Sequence, residues 1–345
     1  MRVGICGYPG SGKTTVFQAL APGAKISGKG VSLGSIKVPD PRIDQLVEIF
    51  SPRKTVYAEI LFADVGNTAG PGAGAFPAAV LEAMRGMDVL VHVVRAFDNP
   101  MAEGDDNPKR DIALFDDELI LLDMALLERR GERWRKESRK GMEVQINQRC
   151  LEHLSEGLPL RSLELDALQR STLVGIQLFS LKPLIILYNL SEERMDDDAW
   201  AYARELRQLG PNSWSTGICA QLEAELNELE PEERMEMLAD LGLAEPAAAS
   251  FVRTAYSLLD LISFLTFGPD ECRAWPIRRG TVARKAAGKV HSDIERGFIR
   301  AEVSGLADML VHRSEAAMRA AGKTRLEGKE YVVQDGDLIV FRFNV

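Results

Sequence analysis

Short apolar, β-rich runs recur along the first two-thirds of the chain: Arg2–Cys6, Ser35–Pro39, Val56–Asp64, Asp88–Val94, Pro183–Asn189 and Asn212–Cys219. Helically patterned segments separate several of them, which predicts an α/β fold with a mostly parallel sheet. Between Asp116 and Ser171 the strand pattern stops. Leu119, Leu122 and Leu126, then Ile146, Cys150 and Leu154, recur at helical spacing, and Gly141 divides the two sets. This predicts a helical hairpin over 116–171, inserted into a discontinuous α/β domain of residues 1–115 and 172–261. Beyond Ile262 short β runs and Gly turns dominate: Glu271–Ile277, Phe298–Val303, Tyr331–Val333 and Asp337–Phe343. Asp335-Gly336 between the last two predicts a hairpin. Residues 262–345 therefore read as a small mixed α+β domain.

The segment Gly7-Tyr8-Pro9-Gly10-Ser11-Gly12-Lys13-Thr14 fits G-x-x-x-x-G-K-[ST], with a strand before it and Thr15 continuing into a helix. Glycines let the backbone turn its N–H groups onto phosphates at the positive end of a helix. Lys13 would reach the β- and γ-phosphates, and the Thr14 hydroxyl would ligate Mg²⁺. Asp64, ending Ile60-Leu61-Phe62-Ala63-Asp64, is placed to support that metal, or is a plain strand-end turn residue. The D-x-x-G turn that senses a γ-phosphate is here Asp64-Val65-Gly66-Asn67, with the glycine out of register. The following segment, Thr68 to Gly74, is Gly-rich. No Thr for a first switch lies between Ala21 and Val38. The base-reading motif N-K-x-D appears as Asn189-Leu190-Ser191-Glu192. Asn189 would touch the base edge, Leu190 would pack on its face, and Glu192 would reach farther than an aspartate. That relaxes guanine selection, so either ATP or GTP suits the site. The turn at Cys219-Ala220 would bring backbone amides to the base, or is an ordinary strand-to-helix turn. No catalytic residue is assigned.

Composition narrows the setting. No apolar run reaches the roughly 18 residues of a membrane helix, and the N-terminus lacks a signal-peptide pattern. Four scattered cysteines, Cys6, Cys150, Cys219 and Cys272, give neither a zinc nor a disulfide pattern. A cytoplasmic location is expected, without membrane or DNA partners. The net charge of −9 opposes wrapping of nucleic acid by the whole chain. A basic cluster from Arg129 to Lys140 could meet RNA, but interspersed Glu128, Glu132 and Glu137 favour a solvated helix end. His92 and His291 read as structural.

Several runs resemble the YchF family of Obg-related GTPases. Val290-His291-Ser292-Asp293-Ile294-Glu295-Arg296-Gly297-Phe298-Ile299-Arg300-Ala301-Glu302-Val303 is similar to that family's C-terminal signature. Arg325 to Val333, Asp335-Gly336-Asp337 and Phe341 to Val345 continue it. Upstream, Val38-Pro39-Asp40-Pro41-Arg42, His92 to Phe97, Arg161 to Leu165 and Leu238 to Leu243 agree. The resemblance implies a P-loop NTPase domain of GTPase type, an inserted helical hairpin and a C-terminal TGS domain of β-grasp fold. It also implies ATP as well as GTP binding, slow hydrolysis, and association with the ribosome or its partners, with the TGS domain and the hairpin as the surface that would meet ribosomal RNA or protein. The chain departs from the family in its P-loop, where Pro9-Gly10-Ser11-Gly12 replaces P-N-V-G, in its missing switch Thr, and in the turn after Asp64. It also lacks a His in the loop from Asp98 to Glu103. Two other readings stay open: a non-hydrolysing nucleotide-binding scaffold, and an RNA or protein adaptor.

Overall fold

The structure, a computed structural model, describes residues 2–24, 32–66, 70, 76–100, 102, 106–173, 175–195, 212–243 and 245–344. The first-switch residues 25–31 and most of the Gly-rich segment after Asp64 (67–69 and 71–75) lie outside the described residues. The chain divides into two compact units, residues 1–36 with 61–251, and residues 37–60 with 252–345.

The first unit is built on a six-stranded sheet. Its strands are β1 (Arg2–Cys6), β2 (Ser32–Lys37), β4 (Glu59–Asp64), β5 (Val89–Ala96), β6 (Leu184–Leu190) and β7 (Ser213–Ile218), in the order β2-β4-β1-β5-β6-β7. The pairs β4–β1, β1–β5, β5–β6 and β6–β7 are parallel. Every residue of β5 and β6 is buried, as expected of strands covered on both faces. The Gly-rich loop leaves β1, flanked by β4 and β5, and enters α1 (Lys13–Leu20).

The helical insertion begins earlier than expected, at Pro108 rather than Asp116. Asn107 caps α4 (Pro108–Lys136), its side chain accepting from Arg110 N at 3.0 Å, and Pro108 occupies the first turn. These local signals extend the helix to 29 residues, about 40 Å. Gly141, at φ 126°, opens the returning helix α5 (Met142–Ser155). Two carboxylates, one buried and one partly buried, fasten the first half of α4. Asp123 accepts from Phe179 N (2.9 Å), Ser180 N (2.7 Å) and Ser180 Oγ (2.7 Å). Asp116 pairs with the buried Arg161, whose Nε also donates to Ser213 Oγ at 3.0 Å. Among the described residues no helix is long and apolar enough to cross a membrane.

The second unit carries a mixed sheet in the order β11-β10-β12-β8-β9-β3. Its strands are β3 (Lys54–Val56), β8 (Leu261–Thr266), β9 (Glu271–Arg278), β10 (Phe298–Ser304), β11 (Arg325–Glu327) and β12 (Leu338–Phe343). A parallel pair, β8 and β12, is flanked by antiparallel β9 and β10, the strand order of a β-grasp. The unit also takes in α2 (Pro41–Phe50) and the helix Ala247–Leu258 from Val252 onward, so it is not confined to residues 262–345. Three expectations fail here. Val56–Asp64 is not one strand, because Lys54–Val56 pairs with β9 while Glu59–Asp64 belongs to the other sheet. Asp335-Gly336 turns, with Gly336 at φ 84°, but joins no hairpin. Asp335 instead accepts from Ser263 N at 2.9 Å, and Gly336 N donates to Ser263 O at 2.8 Å, which steers β12 beside β8. Residues Tyr331–Val333 keep only the isolated bridge Val282–Val332.

Candidate functional site: the phosphate-binding loop and its cavity

The loop between β1 and α1 has the backbone the glycines predict. Gly10 and Gly12 both sit at φ 80°, and Gly12 precedes the first turn of α1 without a side-chain cap. A β-carbon on Gly7 would stand 2.5 Å from Val93 O, so the loop lies hard against β5. Gly10 O accepts from Asn99 Nδ2 at 3.2 Å, and Pro9 is exposed. The first helical amides are therefore left for a ligand. Thr14 and Thr15 are exposed on that turn.

Lys13 lies buried beneath the loop, 5% exposed, with Nζ donating to Tyr8 O at 3.2 Å. Burial lowers its pKa, and nearby Asp64 and Cys6 act in the opposite direction. An ammonium so placed is stabilised by an added anion. Ser11 is buried, and its Oγ has no hydrogen-bond partner among the described residues. Asp64 ends β4, in register with Ile5 of β1, and its Oδ1 accepts from Gly66 N at 3.0 Å.

Beside the loop lies a cavity of about 540 Å³ lined by Gly12, Thr15, Phe97, Asn189, Leu190, Glu192, Cys219 and Ala220, among others. The structure thus brings Gly12 and Thr15 from the phosphate loop and the expected base-side residues around one space, with different tasks for some, while the rest of the loop and Asp64 lie outside its lining. Asn189 is 5% exposed and braces two loops: Nδ2 donates to Ser11 O at 3.1 Å, and Oδ1 accepts from Ala220 N at 3.2 Å. The Ala220 amide is therefore engaged with Asn189 and does not stand free for a base, a correction to the expectation for that turn. Leu190 is 4% exposed and packs at Gly217, where a β-carbon would meet its Cδ1 at 2.9 Å. Cys219 is buried, which raises its thiol pKa. Glu192 is exposed at the start of a short turn.

Sequence reasoning missed Phe97, Asp98 and Arg194 in this lining. Arg194 pairs with Asp106 and, at 3.7 Å, with Asp98, linking the turn after β6 to the segment after β5. Phe97 follows directly on β5, and that position was its available signal.

Below the loop, His92 of β5 is fully buried. Its ring stacks on Phe115 of α4 (centroids 4.0 Å, 15°) and meets Tyr8 edge-on (5.7 Å). Neither ring nitrogen has a hydrogen-bond partner among the described residues. Burial first, then Lys13 and Arg161, pull its pKa down to about 3. It is a neutral structural histidine.

A glycine-rich turn running from a central parallel strand into a helix, with its lysine beneath and a cavity beside it, defines a P-loop nucleotide-binding protein of the GTPase type. Relatives narrow this further. The chain is 35% identical to the ribosome-binding ATPase YchF of Escherichia coli O157:H7, over 100% of this chain and 99% of the relative. It is 36% identical to the protein of the same name from Bacillus subtilis strain 168, over the full length of both. The solved YchF GTPase of Schizosaccharomyces pombe superposes with a TM-score of 0.87 at 29% identity, covering 99% of this chain and 97% of that one. The family model YchF-GTPase_C, described as a protein of unknown function (DUF933), matches residues 261–344. The chain belongs to the YchF family.

Proposed function

We propose that the chain is a nucleotide-dependent switch that binds ATP or GTP with Mg²⁺, turns it over slowly, and works in association with the ribosome. The carrying observation is the register of the Gly7–Thr14 loop with the 540 Å³ cavity, which gives a triphosphate and a base adjoining places. The names of the relatives support the ATPase and ribosome parts of this reading. Residues 262–345, with their β-grasp strand order, we assign as the TGS domain.

In this reading the amides at the start of α1 meet phosphate oxygens, and the buried Lys13 ammonium is stabilised against them. Thr14 and Asp64 offer one hydroxyl and one carboxylate, both hard oxygen donors. Among the described residues no group of three His, Cys, Asp or Glu converges. Such a sparse set fits Mg²⁺, which prefers one or two protein oxygens, phosphates and water to a protein cage. Mg²⁺ would supply charge neutralisation on the phosphates. Phe97 gives the base an apolar wall, and Glu192 gives it a carboxylate acceptor suited to an amino group. Asn189 positions both walls rather than reading the base alone.

A non-hydrolysing scaffold is the second reading, favoured by one contact: the Gly66 amide closes onto Asp64 at 3.0 Å rather than standing free for a γ-phosphate. Equilibrium titrations with Mg²⁺-ATP and Mg²⁺-GTP, with Lys13→Ala as control, test the site. Loss of binding in Lys13→Ala is expected; equal binding by both proteins refutes the P-loop assignment. Single-turnover phosphate release separates switch from scaffold.

A further inference from the structure

Two walls of the nucleotide cavity come from separate parts of the chain. Phe97 and Asp98 follow β5, whereas Ser191 to Arg194 follow β6. The stretch after β5 also steadies the phosphate loop. Asn99 Nδ2 donates to Gly10 O at 3.2 Å, and a β-carbon on Gly10 would stand 2.7 Å from the Cβ of Ala102. Ala102 N in turn donates to Asn99 O at 3.0 Å. Arg194 ties the second wall to the first through two nitrogens. Its Nη1 meets Asp106, directly before the residue that caps α4, and its Nη2 lies 3.7 Å from Asp98, directly after Phe97. The Asp106 side chain is 20% exposed and that of Asp98 is 93% exposed, so the Asp106 pair is the less screened and the stronger of the two.

We propose that Arg194 is a positioning residue that slows nucleotide release, by tying the turn after β6 to Asp98 and Asp106 and so keeping Asn99 on the phosphate loop. This rests on the nucleotide-binding reading above and adds to it what sets the lifetime of the complex. The elements that carry the bridge are themselves stiff: β5 and β6 are buried throughout, and α4 is capped at Asn107. What the bridge restrains is the position of Phe97 and Asn99 between them. A planar guanidinium suits the task because separate nitrogens of one fork can hold two carboxylates at once. The Arg194 side chain is 40% exposed, so the bridge lies at the rim of the cavity. Pairs at such exposure add little to fold stability. Changes at a binding site act mostly on the rate of dissociation, which is where this one should be read.

The test uses the full chain and stopped-flow release of N-methylanthraniloyl-labelled ATP and GTP, with Mg²⁺, chased by unlabelled nucleotide. Arg194→Ala should speed release of both roughly fivefold, leaving the ratio between the two bases unchanged. Asp106→Asn should speed release as well, although it removes a negative charge near an anionic ligand. Direct contact between Arg194 and the nucleotide predicts the opposite for Asp106→Asn: unchanged or slower release. The double variant should be no faster than either single one, because both break the same bridge. Arg194→Lys keeps the charge but not the fork, and its rate should fall between wild type and Arg194→Ala. A wild-type rate in Arg194→Ala, slower release in Asp106→Asn, or additive effects in the double variant overturns the bridge. Each leaves the P-loop assignment standing, with Lys13→Ala as the control that loses binding. Failure of the wild-type chain to bind either nucleotide refutes both.

Discussion

Replacing His92 by Phe should abolish a defined part of the acid sensitivity of this protein. The ordinary imidazole pKa of 6.5 is pulled down to about 3 in the fold. As pH falls below 6.5 the unfolded chain takes up a proton that the folded one refuses. The stability tied to this residue is therefore complete above pH 6.5 and is lost progressively towards pH 3. Linkage gives a loss of about 2 kcal/mol at pH 5 relative to pH 7, growing by about 1.4 kcal/mol for each further unit. Phenylalanine keeps the stack on Phe115 and removes two nitrogens that have no partner among the described residues, so His92→Phe should be at least as stable at pH 7. Glu118, whose carboxyl is pushed up to about 7 by burial, titrates with the opposite sign but is present in both proteins. Urea unfolding of wild type and variant at pH 7, 6 and 5 is the assay. The two stabilities should diverge by about 2 kcal/mol over that interval. Parallel curves would refute the burial of a neutral imidazole beneath the phosphate loop.

Asn189→Ala removes both bracing bonds and leaves the buried Ser11 carbonyl and Ala220 amide unpaired; a loss of about 2–4 kcal/mol in chemical denaturation is expected. Gly12→Ala places a methyl 2.2 Å from Asn189 Nδ2 at φ 80°, so calorimetry should show about 1–2 kcal/mol of destabilisation from the backbone alone, and titration should show nucleotide binding lost. Asp123→Ala strips three hydrogen bonds from the Phe179–Ser180 turn and should cost about 3 kcal/mol or more by urea unfolding.

Much of the fold was legible because its signals are local. The phosphate loop lies between contiguous strand and helix patterns, and Gly141 divides the two hairpin helices, whereas the Asn107-Pro108 signal at the start of the first was missed. The failures share a different cause. Val56–Asp64 reads as one strand because nothing nearby announces that the chain leaves one sheet for the other. The turn at Asp335-Gly336 reads as a hairpin because its hydrogen-bond partner, Ser263, is 72 residues away. The bracing role of Asn189 depends on Ser11, 178 residues distant, so the motif revealed the residue but not its task. Arg194 entered the cavity lining through Asp98 and Asp106, pairings that spacing along the chain does not suggest.

The long helix α4 has a mechanical consequence. Its hydrogen bonds to the sheet domain at Asp116 and Asp123 leave the thirteen residues up to Lys136, about 20 Å of rod, on the far side of the fulcrum. Because Phe115 rests on His92 directly under the phosphate loop, a tilt of about 10° at this base would carry the far end through roughly 3 Å, by the rise per residue of an α-helix. Small adjustments at the nucleotide would thus reach the distant arginines enlarged into ångström-scale travel, without any change in the helix itself.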